Sequence, residues 1–284
     1  MAARTNEHLP TLNERFDEAL RGYLSERRVD LSAIHPGPVA LVDEIERLLF
    51  AGGRRLRPAF AYWGYRAGGG ADGEAIVRAA ASLELLHTMA LIHDDLLDGS
   101  DMRRGAPSLH RAIAEESSGE PDPRAFGEAV ALLCGDLSAV LADHMLMTSA
   151  FAPSVLVDAL ARSHRMRLEM AAGQHLGATG APADPELVAS LKGGSYTVEG
   201  PLLVGAALAG ADVEVRTCLQ GFGRPLGVAF QLLDDLRDGD AAPGIEREHA
   251  DALVETALAA LDRDLLPDDA VDALAGLTAL VVQS

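Results

Sequence analysis

Residues 74–98 read EAIVRAAASLELLHTMALIHDDLLD. The run contains neither Gly nor Pro, and Ala, Leu and Met, all strong helix formers, dominate it. Apolar residues lie nearly all round the helix it would form, the pattern of a central, buried helix. Such a helix needs other helices to cover it. Across the 284 residues, hydrophobic types make up 48% and aromatics only 4%. The β-branched alternation of strands is scarce. The fold is therefore expected to be all-α. No change of composition marks a linker and no fixed period repeats, so one helical domain is expected.

Further amphipathic segments flank this run. PTLNERFDEALRGYLSE (10–26) and PVALVDEIERLLFAGG (38–53) read as helices, the second stopped by Gly52 and Gly53. RAGGGADGE (66–74) reads as a loop. Residues 99–124 are polar and rich in Gly, Pro and Ser, so a partly mobile loop is expected there. Helices follow at about 126–150, 153–172, 185–192, 198–209, 213–238, 245–264 and 268–282.

The formal net charge is −19. Such a surface repels phosphate backbones, which argues against nucleic-acid binding. An anionic substrate would need a local basic patch or a bound metal to overcome the general field. Cys134 and Cys218 lie in apolar surroundings and are expected as buried free thiols, as in a cytosolic protein. MAARTNEHLP lacks the apolar core of a signal peptide, and no apolar run reaches the roughly 18 residues that span a bilayer. A soluble, cytoplasmic protein is expected.

The central run ends in Asp94, Asp95 and Asp98. Asp94 and Asp98 share one helix face, and like charges so placed destabilise an isolated helix. One such cluster reads as a solvated helix end. A second, Asp234, Asp235 and Asp238 in FQLLDDLRD, repeats the spacing on another long apolar helix. If the two helices face each other, six carboxylates converge and need cations. Mg²⁺ suits them, because it takes oxygen ligands and shares them with substrate phosphates. A diphosphate held by several Mg²⁺ ions is the implied partner.

The pair resembles the two aspartate-rich motifs of the trans-isoprenyl diphosphate synthases, the polyprenyl synthetase family. The first resembles DDxxD followed by paired arginines, here Arg103 and Arg104. The second resembles FQxxDDxxD, here Phe230, Gln231, Asp234, Asp235 and Asp238. GGRRLRP (52–58) resembles G-G-K-R-x-R-P, with Arg54 at the lysine position. His87 matches the family's histidine, Lys192 its lysine, and GQHLG (173–177) resembles GQxxD with Gly177 where the acid would stand. The likeness runs in order from about residue 40 to 240.

That resemblance implies a helical bundle of the isoprenoid synthase type with a central apolar cavity. It implies a homodimer that joins isopentenyl diphosphate to an allylic diphosphate, with Mg²⁺ on the order of three per site. Asp94, Asp98, Asp234 and Asp238 are the implied metal ligands. Asp95 and Asp235 stand beside them as catalytic carboxylates, with Gln231 near the developing cation. Arg54, Arg57, His87 and Arg104 would bind isopentenyl diphosphate, and Arg103 and Lys192 the allylic diphosphate. Lys192 adjoins an expected loop, where solvent exposure is the rival reading. Met89 and Ala90, a turn deeper than Asp94, would set product length. Without an aromatic floor they suit a C20 product, with C15 and C25 as neighbouring alternatives. The pattern fails between Asp240 and Ile245, where several tens of residues and a later lysine have no counterpart: either a natural deletion or an omitted segment. A terpene cyclase and a non-catalytic synthase subunit are the rival functions. The basic residues argue against the first, and two whole acidic motifs against the second.

Overall fold

The computed structural model describes residues 2–179, 182–239 and 244–282, with the side chains of residues 2–9 outside that description. The expected all-α class is borne out. The helices are α1 (Ala2–Ile34), α2 (Val39–Leu49), α3 (Leu56–Ala67), α4 (Glu74–Asp98), α5 (Leu109–Glu116), α6 (Pro123–Met147), α7 (Pro153–Thr179), α8 (Pro185–Ala189), α9 (Gly200–Leu208), α10 (Val213–Asp238), α11 (Arg247–Ala259) and α12 (Asp268–Val282). A π-helix, Ser190–Glu199, joins α8 to α9, and a short hairpin of β1 (Met102–Arg103) and β2 (Ala106–Pro107) follows α4. Several starts are set by side chains. Asp122, Asp184 and Asp212 accept from the backbone N–H of Ala125, Glu186 and Val215, and Pro123 and Pro185 supply the fixed φ of a first turn.

The chain forms two compact units. The first takes Leu56–Ala80 and everything from Ala150, with the N-terminal residues to Asn13; the second takes Glu14–Arg55 and Ala81–Ser149. In the first, α3, the π-helix, α9, α10 and α12 bury Phe60, Val198, Leu202, Leu219, Phe222 and Leu274 together. Val228, Leu232, Leu233 and Ala250 form a neighbouring cluster that seats α11 on α10. In the second, the Tyr23 hydroxyl donates to the Leu141 carbonyl at 3.0 Å and ties α1 to α6. The Ser138 hydroxyl donates to the Leu85 carbonyl at 2.8 Å and ties α6 to α4.

Three expectations change. The first helix extends well beyond 10–26 in both directions. The supposed loop at 99–124 contains α5, whose Leu109, Ala112 and Ile113 are buried. Their helical spacing was masked by flanking turn residues. The break expected near Gly193–Gly194–Ser195 is a π-helix, buried from Gly193 to Glu199. Glycine there serves close approach rather than chain reversal. A β-carbon on Gly227 of α10 would stand 2.4 Å from the Gly194 carbonyl oxygen. The departure expected at 240–245 falls largely on residues 240–243, outside the described residues.

Cys134 and Cys218 are free, the first buried and the second half-buried. Burial pushes the Cys134 thiol up to about 12, so it carries no thiolate at neutral pH. Two helical segments, Glu74–Leu97 and Pro123–Met147, are long and apolar enough to cross a membrane by length and composition. The expectation that none reaches that length missed them because isolated charges such as Glu84 interrupt the runs. Within the protein, 72% of the first window and 44% of the second are buried.

Gly227→Ala forces a β-carbon onto backbone that cannot rotate away. It should cost about 1–3 kcal/mol in denaturant unfolding, whereas an unchanged midpoint would mean that α10 and the π-helix can separate freely. Glu199 closes the π-helix with its side chain largely buried, and burial raises its carboxyl pKa despite an opposing Arg224 3.4 Å away. A raised acid holds its proton more tightly folded than unfolded. It therefore favours the fold at low pH and penalises it as pH climbs from the ordinary carboxylate value through the raised one. Glu199→Gln should melt above the parent at pH 8, with the gap closing toward pH 4. A parent that melts higher at pH 8 contradicts this.

Candidate active site

Asp94, Asp95 and Asp98 occupy the last turn of α4, the negative pole of the helix, and α4 has no basic residue in that turn. The offset comes from the hairpin. Arg103 Nε and Nη2 donate to Asp95 Oδ1 at 2.8 and 2.6 Å, and Nη2 reaches Asp94 Oδ2 at 3.1 Å. Burial works against the Arg103 charge, but Asp95 and Asp94 outweigh it and raise its pKa. Asp95 is 1% exposed, and its Oδ2 is buried without a hydrogen-bond partner among the described residues. Asp95 thus anchors Arg103, while Asp98 is exposed and Asp94 half-buried.

The hairpin pairs Met102 with Pro107 and Arg103 with Ala106, leaving Arg104–Gly105 as a two-residue turn. Both have positive φ, 54° and 78°, as a type I′ turn requires. That conformation costs a non-glycine residue roughly 1–2 kcal/mol. Arg104 Nη1 donates to the Gly52 carbonyl at 2.5 Å, so the turn is held onto the basic loop. In that loop Arg54 is exposed. Arg57 belongs to the first unit: its Nη2 donates to Thr197 Oγ1 at 2.9 Å, and its guanidinium lies 4.4 Å over the Tyr196 ring. His87 is half-buried on α4, in the second unit with Arg54 and Arg104. Met89 is buried and Ala90 half-buried on the same helix.

Asp234, Asp235 and Asp238 end α10, which Gly239 closes in the left-handed region at φ 81°. Arg237 Nη1 lies 3.1 Å from Asp234 Oδ1. Gln231 Nε2 donates to Asp235 Oδ1 at 2.7 Å, so Asp235 orients the amide. The amide oxygen fits a notch in the π-helix: a β-carbon on Gly193 would fall 1.9 Å from Gln231 Oε1. Lys192 lies in that π-helix, half-buried, rather than beside a loop. Its ammonium fills space left by the missing side chain of Gly177, whose β-carbon would stand 2.9 Å from Nζ.

Sequence reasoning passed over Thr197, Tyr196, Glu84 and Arg55. Glu84 carried a signal, being the sole acid in the apolar run from Ala79 to His93. Among the described residues no three His, Cys, Asp or Glu side chains gather closely enough to hold an ion on protein ligands alone. The acidic side chains at both helix ends are nevertheless hard oxygen donors, which Mg²⁺ takes together with waters and substrate phosphates.

The sequence model of the family described as polyprenyl synthetase matches residues 39–246. A short chain isoprenyl diphosphate synthase from Methanothermobacter thermautotrophicus is 30% identical over 232 residues, 78% of this chain and 66% of its own length. An octaprenyl diphosphate synthase from Escherichia coli is 34% identical over 210 residues, 72% of this chain and 59% of its own. The chain thus spans just under two thirds, or less, of these curated relatives. A geranylgeranyl pyrophosphate synthase from Corynebacterium glutamicum, solved with isoprenyl diphosphate and magnesium, matches with a TM-score of 0.84 at 27% identity, over 97% of this chain and 99% of its own. With well over half of its residues under the family match and its helical fold in common, this chain belongs to the polyprenyl synthetase family.

Proposed function

We propose that the chain is a Mg²⁺-dependent prenyltransferase that condenses isopentenyl diphosphate with an allylic diphosphate and yields geranylgeranyl diphosphate, C20. The observation that carries this reading is the repeated placement of carboxylates at the negative ends of α4 and α10, each with a permanent cation in contact. Asp94, Asp98, Asp234 and Asp238 are the residues that would hold Mg²⁺. When bound, the metal supplies Lewis-acid stabilisation of the departing diphosphate. The reading requires the two units to act as one catalytic domain.

The side chains divide the remaining work. Arg103, oriented by Asp95, and Lys192 stand ready for the allylic diphosphate. As the allylic C–O bond breaks, the electron pair leaves with diphosphate and positive charge develops on the allyl group. Gln231 Oε1, fixed because its amide nitrogen is committed to Asp235, offers a negative dipole toward that charge. Arg54, Arg57, His87 and Arg104 supply the metal-free pocket in which isopentenyl diphosphate is held by bidentate and charge-assisted hydrogen bonds. Its alkene then attacks the cation, and one proton is lost to complete the balance. A cyclase would need no second diphosphate pocket, so the basic loop favours the synthase. Met89 and Ala90 leave the tail room beyond C15.

A homodimer and a cytoplasmic location complete the reading. The exposed side of α6 supports the dimer, since Phe126, Leu132, Leu133, Val140 and Met147 are uncovered along it.

Incubation with Mg²⁺, labelled isopentenyl diphosphate and farnesyl diphosphate should give a C20 product by chromatography. Cyclic hydrocarbon or absence of turnover would overturn the reading. Asp94→Ala and Asp234→Ala should each lower kcat/KM by about 10²-fold or more, and near-parental turnover in either removes it from the metal set. Ala90→Phe should shorten the product, and an unchanged length places the tunnel floor elsewhere.

A further inference from the structure

One cation of the basic loop has no part in this scheme. Arg55 is 5% exposed, although Arg54 beside it is exposed. Its Nε donates to Asp17 Oδ1 at 2.8 Å, and its Nη1 to Glu84 Oε2 at 2.9 Å and to the Leu49 carbonyl at 3.1 Å. Glu84 lies three residues before His87 on α4, so both share a helix face. The same guanidinium therefore fastens the loop to the end of α2, to α1 and to the part of α4 that carries His87.

The loop backbone needs such fastening. Gly52, Gly53 and Arg55 take φ of 125°, 124° and 54°. For Arg55, which has a β-carbon, that left-handed conformation is unfavourable without an anchor. Two guanidinium groups bracket Gly53: a β-carbon there would lie 3.4 Å from Arg55 Nη1 and 3.3 Å from Arg104 Nη2. Arg55 grips the loop from the buried side, and Arg104 holds the Gly52 carbonyl from the exposed side.

We propose that Arg55 is a positioning residue for isopentenyl diphosphate: its buried pair with Glu84 and its bond to Asp17 fix the left-handed loop backbone, and so set where Arg54 and Arg104 present their guanidinium groups. The proposal rests on the prenyltransferase reading. Arg55 itself touches no substrate. A fork with three acceptors in fixed directions is what a lysine at this position cannot reproduce. Stability alone is a poor account of the pair, since a buried ion pair gives little over an apolar one.

Initial-rate kinetics on Arg55→Lys and Asp17→Asn test this. Asp17 is 37% exposed, so its substitution leaves the Arg55–Glu84 pair and the fold in place and decides the matter if Arg55→Lys does not fold. KM for isopentenyl diphosphate should rise about tenfold in Arg55→Lys and by a smaller factor in Asp17→Asn, with KM for the allylic diphosphate within about twofold of the parent. Two KM values that rise together, or no change in either, in a variant with parental circular dichroism overturn the proposal. A parent protein that condenses nothing overturns the functional reading and this proposal with it. A parent that condenses while both KM values stay coupled overturns this proposal alone.

Discussion

Negative charge at the negative end of a helix is the constraint to which the rest of the structure responds. A carboxylate in the last turn loses about 0.3–1 kcal/mol to the helix dipole, and a like charge one turn away adds about 0.2–0.5 kcal/mol. Both α4 and α10 break this rule with three aspartates each. The fold offsets the strain locally and incompletely. Arg103 spans Asp94 and Asp95, Arg237 faces Asp234, and Gln231 donates to Asp235. The outermost aspartates of the two clusters, Asp98 and Asp238, are exposed. On the proposed reading, the repulsion that weakens these helix ends is what bound Mg²⁺ would relieve.

The second constraint is distance. The π-helix and α10 approach until only glycine fits between Gly194 and Gly227. That closeness puts the Gln231 amide into the Gly193 notch and leaves its nitrogen for Asp235. Wide helical turns such as these are rare and gather at functional sites. Here the wide turn also directs Lys192 toward the empty place of Gly177. A family carboxylate at that position would neutralise the ammonium. On the proposed reading, glycine at 177 leaves that charge to the allylic diphosphate.

Much of this was legible in the sequence, and the failures share a cause. Helices α4 and α10 could be read because their apolar runs are long and their acids abrupt. Helix α5 was lost because one buried turn, Leu109 to Ile113, is enclosed by Gly, Pro and Ser. The π-helix was lost because Gly193 and Gly194 have low helix propensity, and propensity ignores a neighbour that tolerates no β-carbon. Asp95 was grouped with its neighbours on spacing alone. Spacing cannot reveal that one aspartate of three turns inward to hold an arginine. Arg55 was overlooked for the same reason: four of seven residues in GGRRLRP are arginine or proline, and only burial separates the anchoring arginine from the exposed one.

On the proposed reading an acidic protein takes an anionic substrate, and charge scale decides how. The chain carries a formal −19, which at long range repels a diphosphate. In physiological salt that repulsion is screened over about 8 Å, whereas partly buried pairs are screened much less. Within that distance a diphosphate would meet particular groups rather than a net charge. Arg103 is held at its post by two carboxylates, and Arg104 Nη1 donates to the Gly52 carbonyl. A guanidinium bound to carboxylates, as Arg103 is, has part of its attraction already committed. On the proposed reading, the first aspartate motif, its arginine already paired with Asp94 and Asp95, is the one that would need metal to receive a diphosphate.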